Sequence, residues 1–474
     1  MNRNGVALFR EIFTARTLQV AEIVSSKKFI KATFILFLLQ SLFYALTIKY
    51  GIPPDEQYHF KVAELFVQNN FSPFISSQEG LFSLGELTRT PYLMYHYLLS
   101  FPLALLGNLS LSAKILILRG INILLAASSL LVLQKIAEKL KFSSFTANVS
   151  IFIFANSMMY TFLAGSINYD NLFILLVFTS ILLLIRFLQE KKPADLMLWS
   201  IVILLGAFTK EAFLPVVLAE TVALVVMLRL TVISTFVDWL KSFNKALVMN
   251  IVLAVGLIAL FSMFIRFFVG NQLAYGDISP RCEIVHSYDE CLDHGLFRRS
   301  IELKANRPND FEADTSKFVY GWAQLMRSRT FGTLSHASVE PSRPLIAATS
   351  ILFVLMLIAV IRKVEIKKIN KPQLIVLFVV AFYVLSLMYV NYGSYVRNGR
   401  FMAVQGRYIF PALPIIYFFG FHYMEKLKFG RTLRAVAIVA LLPLIIMGNI
   451  PTYIINSTEF HYSGVGLDLY RLFR

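Results

Sequence analysis

Long apolar runs recur along the chain, and short polar segments that hold most of the lysines and arginines separate them. Many of these runs approach the roughly 20 residues that an α-helix needs to cross a bilayer. The runs predict spans at about 29–48, 112–133, 146–164, 171–188, 196–209, 211–229, 249–270, 346–361, 373–391, 408–424 and 432–452. The pattern therefore indicates an all-α polytopic membrane protein with about 11 transmembrane helices.

Composition agrees with a membrane protein. Of the 474 residues, 57% are hydrophobic and 15% are charged, against about 25% charged in soluble domains. The formal net charge of +17 raises the alternative of nucleic-acid binding. However, Lys and Arg gather in short loops, as the positive-inside rule expects of cytoplasmic segments. We therefore expect membrane lipids, and no nucleic acid, as partners.

Basic segments set the predicted orientation. Segments rich in Lys and Arg are predicted to be cytoplasmic, at 134–142, 186–192, 362–371 and 424–434. An odd number of crossings must then join an outer Asp55 to an inner Lys139. The short apolar stretch 92–107 is therefore predicted to lie on the outer leaflet or dip into it. We expect a multi-pass plasma (inner) membrane protein with a cytoplasmic N-terminus and an extracytoplasmic C-terminus.

The same topology divides the chain into five parts. These are a cytoplasmic amphipathic N-terminus (1–28), a transmembrane core (29–270) with a first outer loop (50–111), an extracytoplasmic loop (271–345), C-terminal transmembrane helices (346–452) and an extracytoplasmic tail (453–474). A second amphipathic segment, 230–247, is expected at the inner surface.

The extracytoplasmic loop holds both cysteines of the chain, Cys282 and Cys291. In an oxidising compartment they are expected to form a disulfide that closes a small loop. The alternative is a metal site formed with His286 and His294, although the spacing matches no common zinc pattern.

Two adjacent carboxylates follow the first predicted span, in the segment PPDEQYHF at 53–60. Ionisable residues at a membrane edge are costly and are functional candidates by default. Asp55 and Glu56 would point about 100° apart on a helix, whereas Asp55 and His59 would share a face. Asp55 suits a general base or, together with His59, a metal ligand. The alternative is that Asp55 caps the helix that follows.

Three later segments reach the same outer side by this topology: SINYDN, FTKEAF and VQGRYIFPALP. They bring Asp170, Lys210 and Arg407 to the face that holds Asp55. Two acids and two bases around one pocket predict a site for an anionic lipid-linked substrate and a hydroxyl acceptor.

The two bases have simpler alternatives. A guanidinium at a membrane edge suits phosphate oxygens, but Arg407 would also serve as an interfacial anchor beside Tyr408. Lys210 would suit an ion pair with its neighbour Glu211, or would extend to the interface. Motifs of soluble enzymes are missing, since the sequence contains no Walker A, GxSxG or HExxH pattern. Nucleotide hydrolysis within this chain is therefore not its energy source.

These motifs resemble those of known membrane proteins. The Asp-Glu pair after the first span, the many spans and the Thr-Lys pair at a later outer turn resemble the GT-C superfamily of integral membrane glycosyltransferases. PPDEQYHF, SINYDN and QGRYIFPALP, in this order, resemble a bacterial family of predicted membrane proteins of unknown function. The resemblance extends from about residue 30 to about residue 450.

The resemblance implies a GT-C-like fold, and catalysis on the outer side with a sugar carried on a polyprenyl phosphate. It implies that Asp55 is the general base and Asp170 a second catalytic acid, and that Lys210 and Arg407 hold the donor phosphate. Neighbouring residues gain roles by the same resemblance: Glu56 in catalysis, and His59, Asn168, Gln405 and Tyr408 in substrate binding. A divalent cation such as Mg²⁺ or Mn²⁺, held by Asp55 and His59, is an additional expectation.

We therefore predict an enzyme, a GT-C-type glycosyltransferase that moves a sugar from a polyprenyl-phosphate donor to an extracytoplasmic glycan or lipid acceptor. A transporter or flippase of lipid-linked glycans is one alternative, and it would place ionisable residues near mid-membrane. A polymerase or ligase of lipid-linked glycans is another, and its chemistry is close to that of the transferase.

Overall fold

The computed structural model describes residues 19–77, 81–228, 247–308, 311–333, 338–402, 404–427 and 443–462, with single positions at 234, 237, 239–241 and 441. Within these residues the fold is helical, and β-pairing is limited to one bridge between Thr333 and Val339. The first helices are α1 (Lys27–Thr47), α2 (Glu56–Gln68), α3 (Met94–Leu105), α4 (Leu111–Lys139), α5 (Ser144–Ala155), α6 (Met158–Ala164), α7 (Asp170–Glu190), α8 (Pro193–Ala207) and α9 (Leu214–Leu228). The later helices are α10 (Leu247–Phe264), α11 (Gly270–Tyr275), α12 (Cys282–Val285), α13 (Tyr288–Cys291), α14 (Gly295–Ala305), α15 (Thr315–Phe331), α16 (Arg343–Lys363), α17 (Lys371–Asn398), α18 (Leu413–Glu425) and α19 (Asn449–Asn456).

Six of the described helices are long and apolar enough to cross a membrane. They are α1, α4, α7, α16, α17 and the continuous helix Leu247–Tyr275, which joins α10 and α11 through a π turn at Ile265–Val269. The pair α5–α6, bent by 67°, makes a seventh if it counts as one span. The predicted class of helical membrane protein is confirmed.

The predicted number of about 11 spans is not confirmed. Predicted spans at 196–209, 211–229 and 408–424 correspond to α8, α9 and α18, which have 15, 15 and 13 residues. At 1.5 Å per residue α8 and α18 reach about 23 and 20 Å, short of a roughly 30 Å hydrocarbon core, whereas the residues that follow α9 lie outside the described part of the chain. Other predictions lie largely outside the described residues: the amphipathic N-terminus before residue 19, the segment 230–247, the span 432–452 and the tail after 462.

The first loop contains two short helices that pack on each other, α2 and α3. Helix α3 has 12 residues, so it reaches only about 18 Å. This length suits the predicted interfacial helix over 92–107 better than a crossing.

Helix α7 lies at the centre of the bundle. Of its most apolar stretch, 78% is buried inside the protein, against 17% for Leu247–Tyr275, which faces outward. Helix α7 packs chiefly against α4 and α8. Because Asp170 is its first residue, the bundle core fixes the position of that carboxylate.

Segments predicted to be cytoplasmic meet at one end of the bundle. Lys139 forms an ion pair with Glu190 at 2.7 Å, at the ends of α4 and α7. Gln373, at the start of α17, donates from Nε2 to the carbonyl of Leu140 at 3.0 Å. The segments predicted to be outer meet at the opposite end of the bundle. That this second end faces outward remains a prediction from the basic loops.

Candidate functional site

Asp55 precedes α2 in a left-handed conformation, with φ 61° and ψ 10°. Asp tolerates this region better than most residues, yet it costs free energy, and such residues cluster at functional sites. Asp55 occupies the N-cap position, but its side chain makes no capping hydrogen bond. The carboxylate is 49% exposed and accepts from Nη2 of Arg407 at 3.0 Å. The capping alternative therefore does not account for this carboxylate.

Glu56 points the opposite way and is completely buried. Its two carboxylate oxygens accept from Nε and Nη2 of Arg119, each at 2.8 Å. They also accept from the backbone N–H groups of Gly51 and Ile167, each at 3.1 Å. With four donors on two oxygens, Glu56 has no free lone pair directed at a substrate. The geometry gives it a positioning role in place of the predicted catalytic one.

Arg119 completes this arrangement from the middle of the chain's second long helix, α4. Its Nη1 donates to the carbonyls of Ala45 and Ile48 at 2.8 and 2.9 Å, at the end of α1. The pair, which we call the Glu56–Arg119 clasp, therefore ties the end of α1, the loop before α2, helix α4 and the turn before α7. A bidentate buried pair of this kind is geometrically specific.

Arg407 joins the two aspartates. Its Nη2 contacts Asp55, and its Nη1 lies 3.4 Å from Oδ2 of Asp170. Oδ1 of Asp170 accepts from Nζ of Lys210 in a short ion pair. Lys210 therefore pairs with Asp170, not with its neighbour Glu211. We call these four residues the charge cluster, and they come together as the sequence predicts.

The cluster is open at one place only among the described residues. Asp55 is 49% exposed, whereas the side chains of Arg407 and Asp170 are 3% and 1% exposed. Arg407 Nε and Nη1 and Asp170 Oδ2 are buried without a hydrogen-bond partner among the described residues. Burying a polar atom without a hydrogen-bond partner costs free energy, so such atoms in a native protein are candidates for binding a ligand.

Aromatic rings surround Lys210. Its Nζ lies 4.5 Å from the ring centre of Tyr169 and 4.8 Å from that of Tyr408. The ring of Phe173 is 5.2 Å away. Cation–π contacts of this kind hold an ammonium group that leaves water. Tyr408 thus lies in the cluster, and its role as a substrate contact stays a prediction. Gln405 lies three residues before it with a buried Oε1 that has no hydrogen-bond partner in the described part of the chain.

Asn168 is fully buried and braces the loop that carries Asp55. Its Nδ2 donates to the carbonyl of Pro54 at 2.9 Å, and its Oδ1 accepts from the backbone N–H of Asp170 at 2.9 Å. Asn122 of α4 supports the same turn by accepting from the N–H of Asn168 at 3.3 Å. The geometry therefore makes Asn168 a link between the two aspartates instead of the predicted substrate contact.

His59 lies behind the site with His96 of α3. Nδ1 of His59 and Nε2 of His96 are 2.9 Å apart, and both side chains are buried. Burial lowers the pKa of both imidazoles, that of His96 to about 3. Both rings are therefore neutral at physiological pH, and one donates a proton to the other.

The residues present do not fit the predicted divalent cation. Among the described residues no group of three or more His, Cys, Asp and Glu side chains could hold a metal ion. Asp55 is paired with Arg407 and His59 with His96, so the two predicted ligands have other partners. Cys282 and Cys291 form the predicted disulfide, which removes them as thiolate ligands.

Several contributors were missed at the level of sequence: Arg119, Asn122, His96 and Tyr169. Arg119 carried a signal, because an arginine inside an apolar run is expensive and implies a partner. The sequence does not show which partner it has. Asn122 carried a similar signal, because it is a polar residue inside the apolar run of α4, whereas Tyr169 carried none, because aromatic residues are common at helix ends.

Gly406 is required by a close approach to α15. A Cβ at this position would overlap the backbone of Arg329 and Thr330. Arg329 also donates to the carbonyl of Val404, which holds the segment against α15. The glycine thereby allows Arg407 to enter the cluster.

Gly406→Ala is expected to lower stability by about 1–3 kcal/mol, the usual cost of overpacking, and to displace Arg407. Thermal unfolding of the purified protein in detergent measures the effect. Gly393→Ala in α17 is the matched control, since a Cβ there meets no atom within 4 Å. Equal melting temperatures for the two variants would contradict the assigned close approach.

A charge cluster at the end of a bundle of membrane-length helices defines a polytopic helical membrane protein with a polar site at the edge of its bundle. The chain belongs to the family described as "Predicted membrane protein (DUF2142)", which it matches over residues 76–416. The expected membership in a family of membrane proteins of unknown function is thereby confirmed. The match includes Asp170, Lys210 and Arg407 and begins after Asp55. No curated protein matches the chain.

Proposed function

We propose that this protein is a GT-C-type membrane glycosyltransferase. It would transfer a sugar from a polyprenyl-phosphate donor to an extracytoplasmic glycan or lipid acceptor, with Asp55 as the general base. The observation that carries the proposal is the exposure of Asp55: it is the open carboxylate of an otherwise buried charge cluster, and no helix cap occupies it.

The reaction is a single displacement. The Asp55 carboxylate takes the proton of an acceptor hydroxyl, and the hydroxyl oxygen forms a bond to the anomeric carbon. The bond between that carbon and the phosphate oxygen breaks, and polyprenyl phosphate leaves with the electron pair. One displacement inverts the configuration of the anomeric carbon.

Arg407 and Lys210 suit the negative charge that develops on the departing phosphate. Both cations are largely buried, and they share Asp170 as counter-ion. Arg407 also has a buried Nε without a hydrogen-bond partner among the described residues, and its Nη1 makes only the 3.4 Å ion pair with Asp170. A planar guanidinium with spare donors matches phosphate oxygens in geometry as well as in charge. Because these donors are buried, the ligand would reach them by displacing the Asp55 carboxylate from Arg407.

The test uses purified full-length protein in proteoliposomes with radiolabelled polyprenyl-phosphate hexoses and pentoses. Addition of a soluble glycan or lipid acceptor is expected to transfer the label and to release polyprenyl phosphate in equal amount. The control is Asp293→Asn, an exposed carboxylate in the 271–345 loop. Movement of the donor across the bilayer without any transfer would favour the flippase alternative and contradict the proposal.

A further inference from the structure

A second cavity, of about 600 Å³, lies apart from the charge cluster. Its walls come from two parts of the first loop (residues 74–77 and 82–89), from the end of the Leu247–Tyr275 helix and from the disulfide-closed segment 282–291. We call it the loop cavity. None of the four charge-cluster residues lines it.

Two arginines from separate segments line this cavity, Arg89 of the first loop and Arg266 of the π turn. The guanidinium of Arg266 lies 4.1 Å from the ring centre of Phe74, and that of Arg89 lies 5.7 Å from the ring centre of Tyr275. An arginine on an aromatic face keeps the N–H groups at its edge available for an anion. Each guanidinium is therefore supported by a ring, and within the described part of the chain its N–H groups have no hydrogen-bond acceptor.

The acids near the cavity are engaged elsewhere. Glu290 accepts from the backbone N–H and the hydroxyl of Ser287 at 2.9 and 2.7 Å, in a capping box. Glu86 pairs with His286. Neither Glu86, which pairs with His286, nor Glu290, which accepts from Ser287, forms an ion pair with Arg89 or Arg266. The cavity thus contains two cations that form no ion pair with a described carboxylate, and one carboxylate, that of Glu290, whose Oε2 accepts from Ser287.

The backbone segments that carry the two arginines are tied together, while both side chains are exposed. The side chain of Asn271, which is 3% exposed, donates to the carbonyl of Arg89 at 2.7 Å and to that of Ile278 at 3.1 Å. This contact ties the first loop to the helix that carries Arg266. Arg266 itself lies in a π turn, a feature that occurs frequently at functional sites.

We propose that the loop cavity binds a phosphate group, with Arg89 and Arg266 as its two cationic contacts. Guanidinium groups bind phosphate through paired charge-assisted hydrogen bonds. Ser76 lines the same cavity, and its hydroxyl would add a neutral donor; the Thr88 hydroxyl, which also lines it, already donates to Glu86. The phosphate belongs either to a lipid headgroup or to a free phosphate ion. The inference uses no residue of the charge cluster, so it does not depend on the transferase function.

The experiment is native mass spectrometry of the purified full-length protein in detergent, with three probes: a polyprenyl phosphate, the corresponding polyprenol and inorganic phosphate. Arg89→Ala/Arg266→Ala is expected to lose one bound phosphate ligand or to bind it about tenfold to a hundredfold more weakly, with polyprenol binding unchanged. Arg298→Ala/Arg299→Ala, on the exposed face of α14, is the matched control and should bind as the wild type does.

The probes distinguish the two sources. Binding of polyprenyl phosphate alone identifies a lipid headgroup, and equal binding of inorganic phosphate identifies a free ion. Arg89→Lys/Arg266→Lys keeps both charges and is expected to retain part of the binding, which guards against misfolding of the alanine variant. An alanine variant that binds the same number of phosphate ligands with unchanged affinity would overturn the inference, whatever the transfer assay shows.

Discussion

Replacing Asp55 by Asn is expected to lower the rate of sugar transfer by roughly 100- to 10,000-fold, the usual contribution of a general base. The amide has the size of the carboxylate but cannot take the proton of the acceptor hydroxyl. Because the Asp55 side chain is 49% exposed and Arg407 keeps Asp170 as a partner, stability should fall by no more than about 1 kcal/mol. Transfer of radiolabelled sugar in proteoliposomes and the melting temperature in detergent measure the two effects.

The kinetic constants make this prediction specific. Loss of the Asp55 charge leaves Arg407 with one counter-ion fewer, so donor phosphate should bind at least as well as in the wild type. We therefore expect kcat to fall while KM for the donor stays constant or decreases. Asp293→Asn should change neither constant. A wild-type kcat in Asp55→Asn would exclude Asp55 as the base, and a raised KM with constant kcat would make it a binding residue.

The sequence predicts that the four residues of the charge cluster lie close together, and the reason is simple. Each of its four residues lies at the end of an apolar run, and the basic segments determine which ends of the runs lie together. Asp170 and Lys210, for example, are 40 residues apart and pair as the alternation of the helices requires. This argument needs only hydropathy and charge, and both are visible in one sequence.

The separate roles of Asp55 and Glu56 could not be predicted in the same way. Ideal helix geometry places them about 100° apart, but the left-handed backbone at Asp55 turns one carboxylate outward and the other inward. The partner of Glu56 is 63 residues away on another helix. No local pattern encodes a backbone conformation of this kind or a contact of this range.

That the predicted number of spans is not confirmed has a related cause. Lys210 and Arg407 come from places where the helix gives way to 3₁₀ turns, Glu211–Phe213 and Gly406–Ile409. These turns move the starts of α9 and α18 to Leu214 and Leu413. Irregular backbone near a membrane is tolerated where it is buried in protein or lines a polar site. A hydropathy average extends such a helix through the turn, because the turn is short and the residues that follow it are strongly apolar.

Breaking the Glu56–Arg119 clasp should have the largest effect on stability. Glu56→Gln is expected to cost about 3–5 kcal/mol, because it leaves the buried Arg119 charge without its counter-ion. Both side chains are 0% exposed, so water cannot replace the lost partner. The double variant Glu56→Gln/Arg119→Gln should cost less than the sum of the single variants by about 0.5–3 kcal/mol, since it removes the unpaired charge. Unfolding free energies of the four proteins in detergent give this coupling.

The control for this cycle is Lys139→Gln, which breaks a partly exposed ion pair with Glu190 and should cost no more than about 1 kcal/mol. The measurement also separates the two roles considered for Glu56. A catalytic Glu56 would lose transfer in Glu56→Gln at an unchanged melting temperature. A positioning Glu56 lowers the melting temperature first, and transfer per folded molecule falls less than in Asp55→Asn, because the base itself is retained. The two adjacent carboxylates of PPDE would then have different roles. Asp55 is exposed and would transfer the proton, whereas Glu56 is buried and would hold the loop in place.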